Sequence, residues 1–245
     1  MAASGERPAL VLVHGGSHAA NCWEPTVAAL AEQAPDLPVL AVDLPGRGQE
    51  PGDLATLTIE RCAESVVEQV DRAGLGRVVL VGHSMAGITL PGAARRLGAD
   101  RLAGLVWIAC AIPPEGGTVL DTISGPLRWV AARRARSGGV SAPMPRPLAR
   151  WAFCNGMTPE QTAWTLARQY REAATVLAQP VSQEGMPAVP RTWVLPLRDR
   201  AQPPVRQRQA IGRLGITDVV EVDACHDVMV SHPGELAEVL AERAR

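Results

Sequence analysis

The chain contains no lysine: all 24 of its basic residues are arginine, in a sequence of 245 residues. That excludes a lysine acting as Schiff-base former or general base. It also excludes a phosphate-binding loop. Gly82, Gly87 and Thr89 have the spacing of G-x-x-x-x-G-K-[ST], but Ile88 stands where a lysine must reach the phosphates. Cysteine is sparse and scattered, at Cys22, Cys62, Cys110, Cys154 and Cys225, and never as C-x-x-C. An odd, unpaired set argues against a disulfide framework and against a zinc site, so neither metal nor cofactor is expected. No apolar run approaches the roughly 18 residues of a membrane span. The opening stretch MAASGERPALVLVHGG lacks a signal-peptide layout, which makes the cytoplasm the expected compartment. A net charge of −1 marks neither a nucleic-acid binder nor a membrane-surface binder.

What is present is enough apolar material for a sizeable core, 47% of the chain. Apolar runs bounded by turn residues recur at 9–13, 38–42, 77–81, 104–109, 192–197 and 218–222. Most are unbroken rather than alternating, as parallel strands buried on both faces require. Helical patterns at 24–33, 58–73, 85–97 and 204–214 lie between them, and Pro233 opens a last one to residue 244. Thr58 with Arg61 fits an N-cap, and Gly74 a helix end. This alternation predicts an α/β fold of about six mostly parallel strands flanked by helices. Residues 113–190 break the rhythm and show no strand pattern. Helices are expected at 127–136 and 158–178, the second with a Thr158–Gln161 capping box and Pro159 at its first turn. The breaker-rich stretch SGGVSAPMPRP, residues 137–147, reads as a mobile linker without regular structure. The expected organisation is a core of residues 1–112 and 191–245, with 113–190 a helical cap inserted after the fourth strand.

Ligands of an open parallel sheet sit at the carboxyl ends of its strands. Four such ends carry suggestive residues. The first run leads into HGGSHAANCW, whose paired glycines can turn tightly and present backbone amides to a small anion. The third leads into VGHSMAG, where Gly82 and Ala86 flank Ser84 with small side chains. An ordinary N-cap serine does not need small neighbours; a strained strand-to-helix turn that lifts a serine hydroxyl above the sheet does. Asp199 follows the fifth run and His226 the last. Each alone is unremarkable, but the order Ser84, Asp199, His226 is that of a Ser…Asp…His triad, with every member at a strand end.

The stretches LVHGGSHAANCW, AVDLPGRG, VGHSMAG, WIACAIPPEGG and VDACHDVMVSHP together resemble the α/β-hydrolase superfamily. They are most similar to its small hydroxynitrile-lyase and plant-methylesterase branch and that branch's bacterial esterase relatives. The resemblance implies Ser84 as nucleophile, His226 as base and Asp199 as orienting acid. It further implies an oxyanion hole from the backbone amides of Gly16 and Met85. In the family's naming the strand order is expected to be 4-3-5-6-7-8. The lyases carry a threonine after the oxyanion-loop histidine and a lysine after the catalytic histidine. Here those places are Gly15 and Asp227, and an anionic Asp227 disfavours cyanide.

The expected function is therefore hydrolysis of a small to medium carboxylic ester or thioester through an acyl-enzyme. Alternatives on the same triad are a biosynthetic acyltransferase or cyclase and a hydroxynitrile-lyase-like enzyme; a non-catalytic ligand receptor is a third. The expected partner is a small-molecule ester, with neither nucleic acid nor membrane, and a homodimer stays open. Residues 113–190 hold eight arginines against five acids, which reads first as a solvated helix face and second as a basic lid for a carboxylate or carrier-bound acyl group. His18, Trp129, Trp151, Phe153 and Trp164 are the expected substrate-pocket residues, the last four forming either the core of the cap or the roof of the acyl pocket.

Overall fold

A computed structural model of the chain describes residues 7–123 and 125–245. In β1 (Ala9–Val13), Ala9, Val11 and Val13 belong to one core cluster while Leu10 and Leu12 belong to another. A strand covered on both faces has to be apolar at every position, which is why its sequence does not alternate. There follow α1 (Glu24–Gln33), β2 (Val39–Val42), α2 (Ile59–Arg72), β3 (Val78–His83), α3 (Leu90–Arg101) and β4 (Leu102–Ile108). Next come α4 (Gly125–Ser137), β5 (Val140–Ser141), α5 (Arg146–Phe153), α6 (Pro159–Ala167) and β6 (Glu172–Ala173). The chain closes with β7 (Arg191–Pro196), α7 (Pro204–Leu214), β8 (Asp218–Val222), α8 (Val228–Ser231) and α9 (Pro233–Arg243).

Six strands form one sheet in the order β2-β1-β3-β4-β7-β8, every neighbouring pair parallel. With β1 taken as the family's third strand, this is the expected order. Val66 of α2, Ala93 of α3 and Ala210 of α7 pack with Val11, Leu80 and Trp193 on one face. Leu30 of α1 and Leu236 of α9 pack with Leu12, Val79 and Val194 on the other. The result is a three-layer sandwich whose strand ends are left to loops.

Local signals account for the helix starts. The Thr58 hydroxyl accepts from the Arg61 amide at 3.0 Å. Thr158 and Gln161 form a reciprocal box, each side chain accepting from the other's amide, at 3.2 and 3.0 Å. Prolines 159, 204 and 233 occupy the first turns of α6, α7 and α9, where a missing N–H costs nothing.

Residues 113–190 depart from expectation in three places. The helix expected over 158–178 stops at Ala167, and Glu172–Ala173 then pairs antiparallel with Val140–Ser141. The stretch 137–147 is accordingly not an unstructured linker: it holds β5 and the first turn of α5. α5 itself was not foreseen. The cause is tertiary. The Tyr170 amide donates to the Ser17 carbonyl at 2.9 Å, and the Glu172 carboxylate is bound by groups of the core, so the chain leaves the helix although its apolar spacing would continue it.

Candidate active site

Ser84 lies at the turn between β3 and α3 with φ of 53°, a left-handed conformation unusual for a residue with a side chain. The turn is crowded. A Cβ on Gly82 would lie 2.7 Å from Leu90 Cδ1, and one on Gly87 would lie 2.8 Å from the Ala111 carbonyl oxygen. Those contacts explain why glycine is needed at 82 and 87 while alanine suffices at 86. The Ala111 amide, beyond β4, donates to the Ser84 carbonyl at 2.9 Å and ties the elbow to the neighbouring strand end.

His226 follows β8, and its Nε2 lies 2.9 Å from Ser84 Oγ. Its Nδ1 lies 2.8 Å from Asp199 Oδ2. With Nδ1–H donating to the carboxylate, Nε2 is free to accept the serine proton. Asp199, three residues past β7, is itself fixed: Oδ1 accepts from the amides of Ala201 and Gln202, both at 2.8 Å. Oδ2 also accepts from Gln207 Nε2 at 2.9 Å, and Gln207 Oε1 in turn accepts from Trp193 Nε1 at 2.9 Å. These contacts fit a Ser-His-Asp triad, assembled from the ends of three strands of the sheet. Of the two acids near His226 in sequence, Asp223 is exposed and paired with Arg198, and Asp227 is bonded to His18.

Burial by itself pulls the His226 pKa down, but the charge and hydrogen bond of Asp199, with Asp227 adding, hold it above the ordinary histidine value of 6.5. His83 behaves oppositely. Burial, then the His226 charge, lower it to about 3, so it is neutral, and its Nε2–H donates to the His226 carbonyl at 3.1 Å. Burial likewise lowers His14 well below 6.5. Its Nδ1–H donates to the Gly15 carbonyl at 2.8 Å while Nε2 accepts from the Leu44 amide at 3.0 Å. Both neutral rings are part of the scaffold around the triad. His83, Gln207 and Glu172 went unrecognised as site residues in the sequence. Only His83, adjacent to Ser84, carried a signal that could have found it.

Ser84 and His226 open onto a cleft of about 110 Å³, bordered also by Gly16, Met85 and Phe153. Val119, Ile123, Val130, Ala131 and Leu177 give it a mainly aliphatic wall. Of the expected pocket aromatics, Phe153 alone is among the lining residues; its ring stacks on His226 at 5.3 Å between centroids. Trp129 and Trp151 are instead 66% and 41% exposed. Trp164 packs against the core cluster on the α1 and α9 face, with the Arg168 guanidinium 4.0 Å above its ring. His18 is buried behind the cleft, bonded to Asp227 and packed on Phe153. Trp129 and Trp151 lie outside the cleft because the exposed faces of α4 and α5 carry them outward, and Trp164 because α6 turns it to the core; residue type reveals neither direction. A Cβ on Gly15 would come 2.8 Å from Ser84 Cβ, so the threonine of the lyases has no room here.

The profile of the alpha/beta hydrolase family matches residues 10–239, and the chain belongs to that family. It is 28% identical over 247 residues to a carbendazim hydrolyzing esterase from Nocardioides sp., covering 94% of this chain and 97% of that one. It is 26% identical to Esterase PIR7B from Oryza sativa subsp. japonica, over 98% and 97% of the two chains. Among solved structures, an extracellular alpha/beta-hydrolase from a Paenibacillus species superposes with a TM-score of 0.84 at 22% identity, over 97% and 99% of the chains. That last likeness concerns the fold.

Proposed function

We propose that this protein is a serine esterase that hydrolyses small to medium carboxylic esters through an acyl-enzyme intermediate. The observation that carries the reading is the unbroken relay Asp199–His226–Ser84, with contacts of 2.8 and 2.9 Å, opening on an aliphatic cleft. The esterase relatives, plant and bacterial, support it. In the acylation step His226 Nε2 takes the Ser84 proton as Oγ bonds to the acyl carbon. The carbonyl oxygen becomes an oxyanion, for which the amides of Gly16 and Met85 are the proposed donors. The tetrahedral centre collapses, the C–O bond to the alcohol breaks, and the imidazolium returns the proton to the leaving alkoxide. Water, deprotonated by the same nitrogen, then releases the acid. Residues 113–190 are proposed as the cap that roofs the acyl side of the cleft. A panel of p-nitrophenyl esters of increasing chain length, with Ser84→Ala as control, tests the reading. Turnover by the wild type alone supports it, and binding without turnover by either sinks it.

Two further results are expected. Since Nε2 must be unprotonated to act, a raised His226 pKa places the loss of kcat/KM on the acid side. Activity is retained above the raised pKa and falls as pH drops through it. The acid limb of a kcat/KM profile is expected to have its midpoint above 6.5. A profile flat down to about pH 5.5 would contradict the assignment of the base. Second, Ile123→Trp fills the aliphatic wall. It is expected to lower kcat/KM for octanoyl relative to acetyl esters by about tenfold or more, tenfold being the low end of what one methylene is worth. Trp164→Ala, which touches the α1 and α9 side, leaves that ratio unchanged.

A further inference from the structure

Two buried ion pairs that the proton relay does not use flank the oxyanion loop, one behind the cleft and one at its border, where Glu172 is a lining residue. Asp227 Oδ2 sits 3.1 Å from His18 Nε2, and Glu172 pairs with Arg47, all four side chains almost fully buried. Both pairs end on one peptide unit. His18 Nδ1 lies 2.8 Å from the Gly16 carbonyl oxygen, and the Ser17 amide donates to Glu172 Oε2 at 2.8 Å. The C=O and N–H of the Gly16–Ser17 peptide are therefore each held by a charged side chain. Ser17 has φ of 60°, so the loop adopts a left-handed turn that a serine does not favour and that outside restraints must maintain.

The hydrogen positions on His18 follow from its partners. A carbonyl only accepts, so Nδ1 carries a proton. Nε2 faces a carboxylate and donates as well if that carboxylate is ionised. Burial opposes both charges, but the attraction and hydrogen bond between the two groups raise the His18 pKa and lower that of Asp227. The pair is an imidazolium against a carboxylate, aimed at the Gly16 carbonyl.

We propose that Asp227, acting through His18, is a positioning residue that fixes the oxyanion loop, with Glu172 holding the other end of the same peptide. The proposal rests on the esterase reading for the use made of the Gly16 amide. Its structural logic is the adjacency of Asp227 to His226. The loop that presents the base also braces the loop that offers the anion donor, so the two halves of the site keep register. An interaction realised mainly in the transition state shows in kcat rather than KM.

The test is Asp227→Ala against Asp227→Asn in the full chain, read by kcat and KM on p-nitrophenyl acetate and by the rate of Ser84 labelling with a fluorophosphonate. Asp227→Ala is expected to lower kcat and the labelling rate about 100-fold with KM nearly unchanged. Asp227→Asn can donate its amide to His18 Nε2 while Nδ1 still donates to Gly16, and is expected to recover most of both. Should the alanine variant not fold, His18→Leu combined with Asp227→Ala leaves neither partner buried alone and is expected to show the same loss. Near-wild-type kcat in the folded alanine or double variant overturns the proposal. So does a change confined to KM, or an asparagine variant as impaired as alanine. In the wild type, nitrogen-15 NMR is expected to find both His18 ring nitrogens protonated at neutral pH; a singly protonated ring overturns the ion pair. If the wild type is labelled but hydrolyses no ester, the esterase reading fails while the labelling rates still judge the clamp.

Discussion

Replacing Ser84 with alanine is expected to cut ester hydrolysis by about 10⁴-fold or more, and His226→Ala to do the same. The double variant is expected to be scarcely worse than either single one, because the nucleophile and its base act as a unit and neither works without the other. The thermal midpoint of Ser84→Ala is expected to stay within a few degrees of wild type. Ser84 Oγ is bonded to His226 at the border of the cleft, so its loss empties no core volume and leaves a ring nitrogen that water can reach. The φ of 53° is no harder for alanine than for serine. Activity on p-nitrophenyl acetate together with a melting curve checks both halves. A Ser84→Ala protein with a tenth of wild-type activity would remove the nucleophile assignment; a collapse in melting temperature would mean that the activity loss says nothing about chemistry.

The core could be read from the sequence because its constraints are local. In β1 and in residues 78–81 of β3, successive residues face the two clusters in turn and each is apolar, so an unbroken run meant a central parallel strand. The elbow was legible for a related reason: Gly82 and Gly87 are set by contacts to Leu90 and to the Ala111 backbone, and such crowding leaves small residues in the sequence. The triad emerged from the order of three strand ends. What escaped detection depends on distant partners. Glu172 meets the Ser17 amide across 155 positions, and nothing in the text around it distinguishes it from a solvated helix acid. That contact, with the Tyr170 amide on Ser17, is what ended α6 early. The stretch of prolines and glycines before α5 looked like a linker, although Pro147 sits in that helix's first turn. Side-chain direction was also hidden. Trp129 and Phe153 carry the same apolar appeal, and packing alone decides that one faces water and the other His226.

Asp199→Asn is expected to lower kcat by about 10⁴-fold with the backbone unmoved, the penalty of holding the base in the wrong tautomer. The geometry makes the outcome specific. Every group that meets this carboxylate is a donor: two backbone amides on Oδ1, and His226 Nδ1 with Gln207 Nε2 on Oδ2. Asparagine keeps one acceptor oxygen, and the two amides of Ala201 and Gln202 hold it at Oδ1. Its NH₂ group must then occupy the Oδ2 position, facing His226 Nδ1. Two donors cannot share that contact, so the imidazole moves its proton to Nε2 and presents N–H to Ser84 where a lone pair is required. Gln207 Nε2 also loses one of its two acceptors in a buried setting, keeping the Gln202 carbonyl, and destabilisation by about 1–3 kcal/mol is expected alongside the kinetic loss. The pH profile separates the two effects. With the carboxylate charge gone, burial is opposed only by Asp227, so the His226 pKa falls and the acid limb moves to lower pH. Rates that recover at high pH, where hydroxide can replace the missing base, are consistent with the tautomer argument. An Asp199→Asn enzyme within tenfold of wild type at neutral pH would show that another carboxylate orients His226, with Asp227 then the nearest alternative.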